Sequence, residues 1–224
     1  MNYQALTFAA LMSIGTVAVA QEPDATPVAK ASAVVEPPSD AVLIQLQDGG
    51  KVAALQARYR TVSNGQPDLR GVAQSFAWSG DKPLDRIGIK LSPEQGSVDP
   101  FDLPQDYILE VHRVDADARE VPSIGKVLEA LVTITPESLS GDFLDIDLDK
   151  PAELEDGVAY LFHLRPAAEQ ENAGVQRIYF ARSDESADPY GGGVANQTDG
   201  QPREAEGTFG RRNYDLLFYL VASE

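Results

Sequence analysis

The chain has 224 residues, of which 35 are acidic and 18 are basic, so its formal net charge is −17. A negative field of this size repels polyanions, which makes nucleic acid a poor candidate partner. The absence of cysteine excludes disulfide scaffolds, cysteine-ligated zinc, iron–sulfur clusters and thiol catalysis.

The first 20 residues have the composition of a secretory signal peptide. They include no Asp, Glu, Lys or Arg, and the apolar run from Ala5 ends in Ala18-Val19-Ala20, small residues at the spacing that signal peptidase requires. A helix over this run is too short to cross a hydrocarbon core of about 30 Å. We therefore expect cleavage after Ala20 and export to the periplasm or the extracellular space, without membrane insertion of the mature chain. The alternative is a buried N-terminal helix.

Residues 21–40 differ in composition from the rest of the chain. Pro23, Pro27, Pro37 and Pro38 stand among Ala, Val and acidic residues. Proline removes backbone donors and biases its neighbours to extended conformations. This composition predicts a disordered spacer over residues 21–40, followed by one folded domain over residues 41–224.

From Ala41 onward, short apolar runs are separated by turn residues about every ten positions. Many short strands without interleaved helices are typical of an antiparallel sandwich or barrel. One segment, Ile124–Ile134, also suits a helical turn. We predict an all-β, antiparallel, jelly-roll-like β-sandwich with ten strands: Val42–Gln47, Lys51–Arg60, Ala73–Ser79, Leu84–Leu91, Asp106–Val114, Val127–Thr135, Asp142–Asp149, Gly157–Arg165, Val175–Ala181 and Tyr214–Val221.

In two of these strands the pattern of apolar residues predicts which faces are buried. In Phe143–Asp149 the Leu and Ile residues fall on one face and three aspartates, Asp145, Asp147 and Asp149, fall on the other. This pattern predicts a core face and a solvated acidic face. The last strand is apolar on both sides after Asp215, which predicts a central, covered strand.

The order of several segments resembles secreted bacterial jelly-roll β-sandwich domains of exported or surface-anchored proteins, which are distantly similar to carbohydrate-binding modules. The segments that carry the resemblance are Ala73–Phe76, Leu84–Lys90, Tyr107–Val111, Phe143–Leu148, Leu154–Tyr160, Asp188–Gly193 and Asp215–Phe218. These are packing and turn patterns, and no catalytic signature is among them. The resemblance implies a glycan ligand and a structural calcium ion.

Catalytic patterns are sparse. Nucleophilic catalysis usually needs a histidine beside a serine, but His112 and His163 each lie inside a predicted strand, and no Gly-x-Ser-x-Gly elbow occurs. We expect each histidine to be a partly buried strand residue with a hydrogen bond. A two-histidine metal site would require adjacent strands. A carboxylate pair for glycoside hydrolysis could lie on the acidic face of Phe143–Asp149, although a solvated face explains the same pattern.

The candidate binding residues come mainly from the long irregular stretch Ser183–Arg212, because such stretches in compact domains are often functional. No cofactor is required, but calcium takes carboxylate and carbonyl oxygens that sandwich loops can supply. The candidate calcium ligands are Asp184, Asp188 and Asp215, with a polar loop as the alternative. The candidate sugar-binding residues are Tyr190, Asn196, Arg211 and Tyr214, whereas Trp78 is expected in the core.

The sequence therefore predicts an exported, non-catalytic binding module with carbohydrate as the leading ligand class. One alternative is a small sandwich-fold polysaccharide lyase or hydrolase. The other is a structural envelope or matrix protein that binds other proteins. The net charge suits all three, and the ligand class rests on the fold-level resemblance.

Overall fold

The structure is a computed structural model that describes residues 28–48, 53–61, 67–95, 102, 104–115, 121–167, 176–184, 190, 193–201, 208–209 and 214–224. The predicted signal peptide and the first seven residues of the predicted spacer lie outside this part of the chain. No helix among the described residues is long and apolar enough to cross a membrane.

The described chain consists of strands and one short 3-10 turn at Glu137–Leu139, so the all-β prediction is confirmed. All ten predicted strands are present with shifted ends, and the ambiguous segment Ile124–Ile134 lies within one of them. The strands are β1 Val28–Val34, β2 Ala41–Gln45, β3 Ala53–Thr61, β4 Pro67–Ala77, β5 Leu84–Lys90, β6 Gln105–Val114, β7 Val121–Ile134, β8 Phe143–Ala152, β9 Ala159–Pro166, β10 Gln176–Arg182, β11 Ala195–Thr198, β12 Thr208–Phe209 and β13 Phe218–Ala222.

The strands form one curled sheet in the order β10-β3-β4-β9-β6-β7-β1-β8-β5-β13-β2, with β11 beside β4 and β12 beside β7. Strand β10 meets the other end of this order through isolated bridges from Phe180 to Leu91 and from Arg182 to Leu216. The sheet is mixed, because β1 runs parallel to β7. The prediction of a purely antiparallel sheet is therefore wrong at this pair.

Over residues 28–34, strand β1 corrects the prediction of a disordered spacer at residues 21–40. Its first three residues, Val28–Lys30, pair with β7, residues 29–34 pair with β8 on the other side, and Ala29 is buried in the core. The segment Val28–Val34 contains no proline and consists of Ala and Val with one Lys and one Ser. Its local preference for a strand is weak, and pairing with β7 and β8 supplies the order that the local sequence does not. The folded domain therefore begins no later than Val28.

The main core lies inside the curl, on the face that carries Tyr107, Leu109 and Val111 of β6 and their neighbours on β4, β5, β8 and β9. Trp78 is buried there, as predicted. The alternation of β8 is also confirmed for its leucine and isoleucine side chains. On its other face Asp147 and Asp149 are exposed, but Asp145 is buried, so the prediction of a uniformly solvated acidic face is wrong at Asp145.

Asp145 is buried because Gly88 on the neighbouring strand leaves room for the Tyr219 ring to cover it. The residues Tyr219, Gly88 and Asp145 stand side by side on β13, β5 and β8. A Cβ atom at Gly88 would lie 2.0 Å from the Tyr219 ring. Because Gly88 has no side chain, the ring crosses β5 and its hydroxyl donates a 2.7 Å hydrogen bond to Asp145. Burial raises the pKa of Asp145, although Tyr219 and Arg86 partly oppose that shift.

Candidate functional site

A cleft of about 530 Å³ opens where the end of β5, the 3-10 turn and β10 meet. Its walls are Lys90–Ser92 with Pro93 and Gln95, Leu139–Asp142, and Ala181. The volume lies within the usual range for small-molecule sites. This place does not stand out in the sequence, because its residues come from three segments with no shared motif.

Backbone hydrogen bonds tie the three walls of the cleft together. The amide of Leu91 donates to Asp142 O, and the amide of Ser92 donates to Tyr179 O, both at 2.8 Å. The Leu139–Asp142 wall also rests on β1, since the amide of Asp142 donates to Val34 O at 3.0 Å. A Cβ atom at Gly141 would lie 2.6 Å from the same Val34 oxygen, so only glycine allows this close approach.

The polar side chains of the cleft are of mixed type. Lys90 places its ammonium 5.8 Å from the centre of the Phe143 ring, and Asp142 is exposed on the opposite wall. The side-chain oxygen of Gln95, Oε1, accepts a 2.8 Å hydrogen bond from the backbone amide of Tyr179. This bond orients the Gln95 side chain. The cleft therefore combines a cation, a carboxylate, an amide and the Ser140 hydroxyl with apolar Leu91 and Leu139.

A second group of polar residues is buried on the outer face of β6 and β9. We call Glu110, His112, His163, Arg165 and Thr198 the Glu110 cluster. Glu110 and both histidines are fully buried, and β11 and β12, which belong to the stretch Ser183–Arg212, supply Thr198 and a covering ring. The histidines stand out in the sequence but Glu110 does not, because only the pairing of β6 with β9 places Glu110 opposite His163.

The Glu110 carboxylate is the centre of this cluster. Arg165 donates to it from Nη2 at 3.1 Å and from Nε at 3.4 Å. His163 Nδ1 lies 2.9 Å from Oε2, and because a carboxylate only accepts, this nitrogen carries the proton. Burial alone raises the pKa of Glu110, but His112, His163 and Arg165 around it outweigh burial and hold that pKa far below its usual range.

The other nitrogen of His163 completes a carboxylate–imidazole–hydroxyl chain. Its Nε2 lies 2.7 Å from Thr198 Oγ1. Burial lowers the pKa of His163 and the Glu110 carboxylate opposes that shift, so the neutral ring accepts the Thr198 hydroxyl proton at Nε2. Thr198 in turn accepts from the amide of Gly200 at 3.2 Å. The chain has the order of a hydrolase triad, but the Thr198 residue is only 6% exposed.

His112 has a different environment. Its Nδ1 forms a 2.9 Å hydrogen bond with the Ser123 hydroxyl, and its Nε2 lies 3.6 Å from Glu110 Oε2, which is longer than a hydrogen bond. Phe209 packs edge-on against both imidazoles. The prediction that both histidines are strand residues with a hydrogen bond is confirmed, and both are more deeply buried than expected.

The strands of the two histidines are adjacent, which was the condition for a two-histidine metal site. The described residues nevertheless contain no group of three histidine or acidic side chains arranged to hold a metal ion. In the Glu110 cluster the carboxylate is already paired with Arg165 and lies 3.5 Å from the Lys126 ammonium. Two cations beside the carboxylate disfavour a divalent metal there.

The described candidate sugar-binding residues are less exposed than aromatic rings that stack on a sugar need to be. Tyr190 is half-buried against Phe218, and its hydroxyl accepts a hydrogen bond from the amide of Ala77 at 3.2 Å. Tyr214 is buried with the Arg182 guanidinium 4.2 Å from its ring centre. Asn196 is buried on β11, and Arg211 lies outside the described residues.

Two of the three candidate calcium ligands, Asp184 and Asp215, lie among the described residues. Asp215 is fully buried, and its carboxylate accepts from Gln74 Nε2 at 2.9 Å and from the amide of Tyr190 at 3.1 Å. Asp215 thus joins Tyr190 to Gln74 of β4. Asp184 donates its amide to Asp48 O, and Asp188 lies outside the described part of the chain. The calcium site stays a prediction.

Comparison with known proteins finds neither a protein-family model nor a curated protein that matches this sequence. The assignment of function therefore depends on the chemistry of the residues described above.

Proposed function

We propose that the chain is an exported, non-catalytic binding module whose ligand is a glycan and whose binding site is the cleft between β5, the 3-10 turn and β10. The observation that carries the proposal is the cleft itself, with its volume of about 530 Å³ and its mixed polar side chains. A sugar presents hydroxyl groups that both donate and accept hydrogen bonds. Asp142 accepts from such hydroxyls, and Lys90 donates to them.

The backbone of the cleft supports a binding role. Its walls are joined by backbone hydrogen bonds, so the backbone positions that carry the polar side chains are held before the ligand arrives and less backbone entropy is lost on binding. The titratable groups with the largest changes in pKa, by contrast, belong to buried structural contacts elsewhere. The chemistry at the cleft is recognition by hydrogen bonds.

The test is retention of the purified full chain on a panel of polysaccharides, with calcium and with EDTA, while released sugar is assayed. Retention without release is expected, and D142N and K90Q should each weaken it. The control is D147N, which removes an exposed carboxylate of β8 outside the cleft. Equal retention of D142N, K90Q and D147N would place the glycan elsewhere, and no retention on any glycan would overturn the proposal.

One observation favours hydrolysis as a second candidate function. The 2.9 Å and 2.7 Å contacts of Glu110, His163 and Thr198 have the geometry in which a hydroxyl is activated for attack. Against it stands the burial of the Thr198 hydroxyl. Sugar release or ester hydrolysis by the full chain that is abolished in T198V would replace the binding proposal.

A further inference from the structure

Strand β2 presents an apolar surface that the proposed glycan cleft does not use. Val42 and Ile44 of β2 and Leu46, just after its end, alternate with residues that face the protein, and their exposed fractions are 52%, 53% and 36%. Among the described strands β2 pairs with β13 alone, and it stands at one end of the strand order. No described strand pairs with its other edge, whose backbone donors and acceptors can pair with a further strand.

The sequence of this edge lacks two features that usually protect sheet edges. Natural edge strands are blunted by charged side chains, especially lysine, or by proline, yet residues 41–47 contain neither. The exposed stripe also borders a buried apolar cluster, because Ile44 stands opposite Tyr219, which packs with Phe143 and Val221. An unprotected edge beside an apolar stripe is typical of sites that bind a peptide by adding a strand.

The charges around β2 indicate which strand fits. Asp40 and Asp48 bracket the apolar stripe, Glu36 is exposed before it, and the whole chain carries a net charge of −17. Antiparallel pairing of two copies centred on Ile44 would place Asp40 of each copy opposite Asp48 of the other. Like charges directly opposite each other are destabilising. A strand with cationic ends has the complementary pattern.

We propose that β2 is a docking edge for an extended segment of another protein, in which alternating branched apolar residues are flanked by lysine or arginine. The partner adds a strand to the sheet through its backbone. Its apolar side chains cover Val42, Ile44 and Leu46, and its cationic ends face Asp40 and Asp48. The proposal is independent of the glycan cleft, since β13 separates β2 from β5 and no residue of β2 lines the cleft.

The test uses two fluorescent peptides, KTVTITVTK and ETVTITVTE, titrated against the purified full chain by fluorescence anisotropy. The cationic peptide is expected to bind and the acidic one to bind about tenfold or more weakly, with the difference shrinking at high salt. The variant I44K should weaken the cationic peptide by about tenfold. The control I124K makes the same substitution at an isoleucine of β7 that is 60% exposed, and it should bind like the parent chain.

Three outcomes would overturn the proposal. The first is failure of the cationic peptide to bind to the folded chain. The second is equal binding of the two peptides, or equal loss of binding in I44K and I124K. The third is a concentration-dependent dimer in light scattering that I44K abolishes, since this would make a second copy the occupant of the edge.

Discussion

His163 Nε2 and Thr198 Oγ1 meet at 2.7 Å across β4, above a position that has no side chain. That position is Gly71, where a Cβ atom would lie 2.6 Å from both of these atoms. The same device recurs at Gly88, which lets Tyr219 reach Asp145 across β5. In each case a glycine on a central strand allows a ring from one neighbouring strand to bond a polar group on the other.

Substitution of Gly71 tests this arrangement. In G71A the new methyl group displaces the His163 imidazole or the Thr198 side chain, and we expect a loss of about 1–3 kcal/mol in the free energy of unfolding. Urea denaturation measures the change. The control is G125A on β7, where a Cβ atom meets nothing within 4 Å. If G71A is as stable as G125A, the contact across Gly71 has no energetic role.

Removal of the charge on Glu110 should be costly. In E110Q the Arg165 guanidinium remains buried without its anionic partner, and breaking a buried pair in this way costs about 3–5 kcal/mol. The matched control is E129Q, since Glu129 pairs with the same Lys126 but is 38% exposed, and we expect about 0–1 kcal/mol there. Chemical denaturation of both variants checks the prediction, and equal losses would contradict it.

The Glu110 cluster predicts that acid destabilises the fold in two stages. The pKa of His163 is lowered by burial, so below the usual value of about 6.5 the unfolded chain takes up a proton that the folded chain does not. Stability therefore falls as the pH drops below about 6.5. The pKa of Glu110 is also held low despite its burial, which adds a second loss below about 4.5.

Two measurements check the first stage. In H163Q the decrease in the free energy of unfolding between about pH 7 and pH 5 should be smaller than in the parent chain. If H163Q does not fold, the nitrogen chemical shifts of His163 in the parent chain give the answer directly. They should remain those of a neutral ring at about pH 6. A ring that titrates at the usual value would contradict the prediction.

The hydrogen bond from Tyr219 to Asp145 predicts a further loss of stability. Y219F removes the hydroxyl that donates a 2.7 Å hydrogen bond to the buried Asp145 carboxylate, and a hydrogen bond to a charged group contributes about 1.5–3 kcal/mol. The pKa of Asp145, already raised by burial, should rise further in Y219F. Thermal unfolding and carbon-detected titration of Asp145 measure the two effects. D147N, at an exposed aspartate of the same strand face, should be close to neutral.

Deletion of β1 should destroy the fold. A chain that begins at Ala41 exposes the facing edges of β7 and β8, and it also loses Val34 beneath the cleft wall. We expect aggregation or the loss of a cooperative thermal transition in circular dichroism. A chain that begins at Gln21 keeps β1 and should melt cooperatively. A soluble, cooperative chain from Ala41 would show that β1 is dispensable.

Much of the fold follows from local patterns in the sequence. Period-two alternation and turn residues located ten of the strands, since these signals depend only on neighbouring residues. Alternation also placed the Leu and Ile side chains of β8 in the core. Strand β1 was missed because its Ala-rich sequence has little preference of its own and is ordered by pairing with β7 and β8.

The sites depend on contacts between residues far apart in the chain. His163 could be assigned to a buried strand from its apolar neighbours, but its bonds to Glu110 and Thr198 span 53 and 35 positions. Asp145 looked solvated because alternation cannot reveal that Tyr219 crosses Gly88 to cover it. Local sequence thus determined the strands and their faces. Strand order and register, set by tertiary packing, decided which polar groups meet, which are buried, and where the cleft and the β2 edge lie.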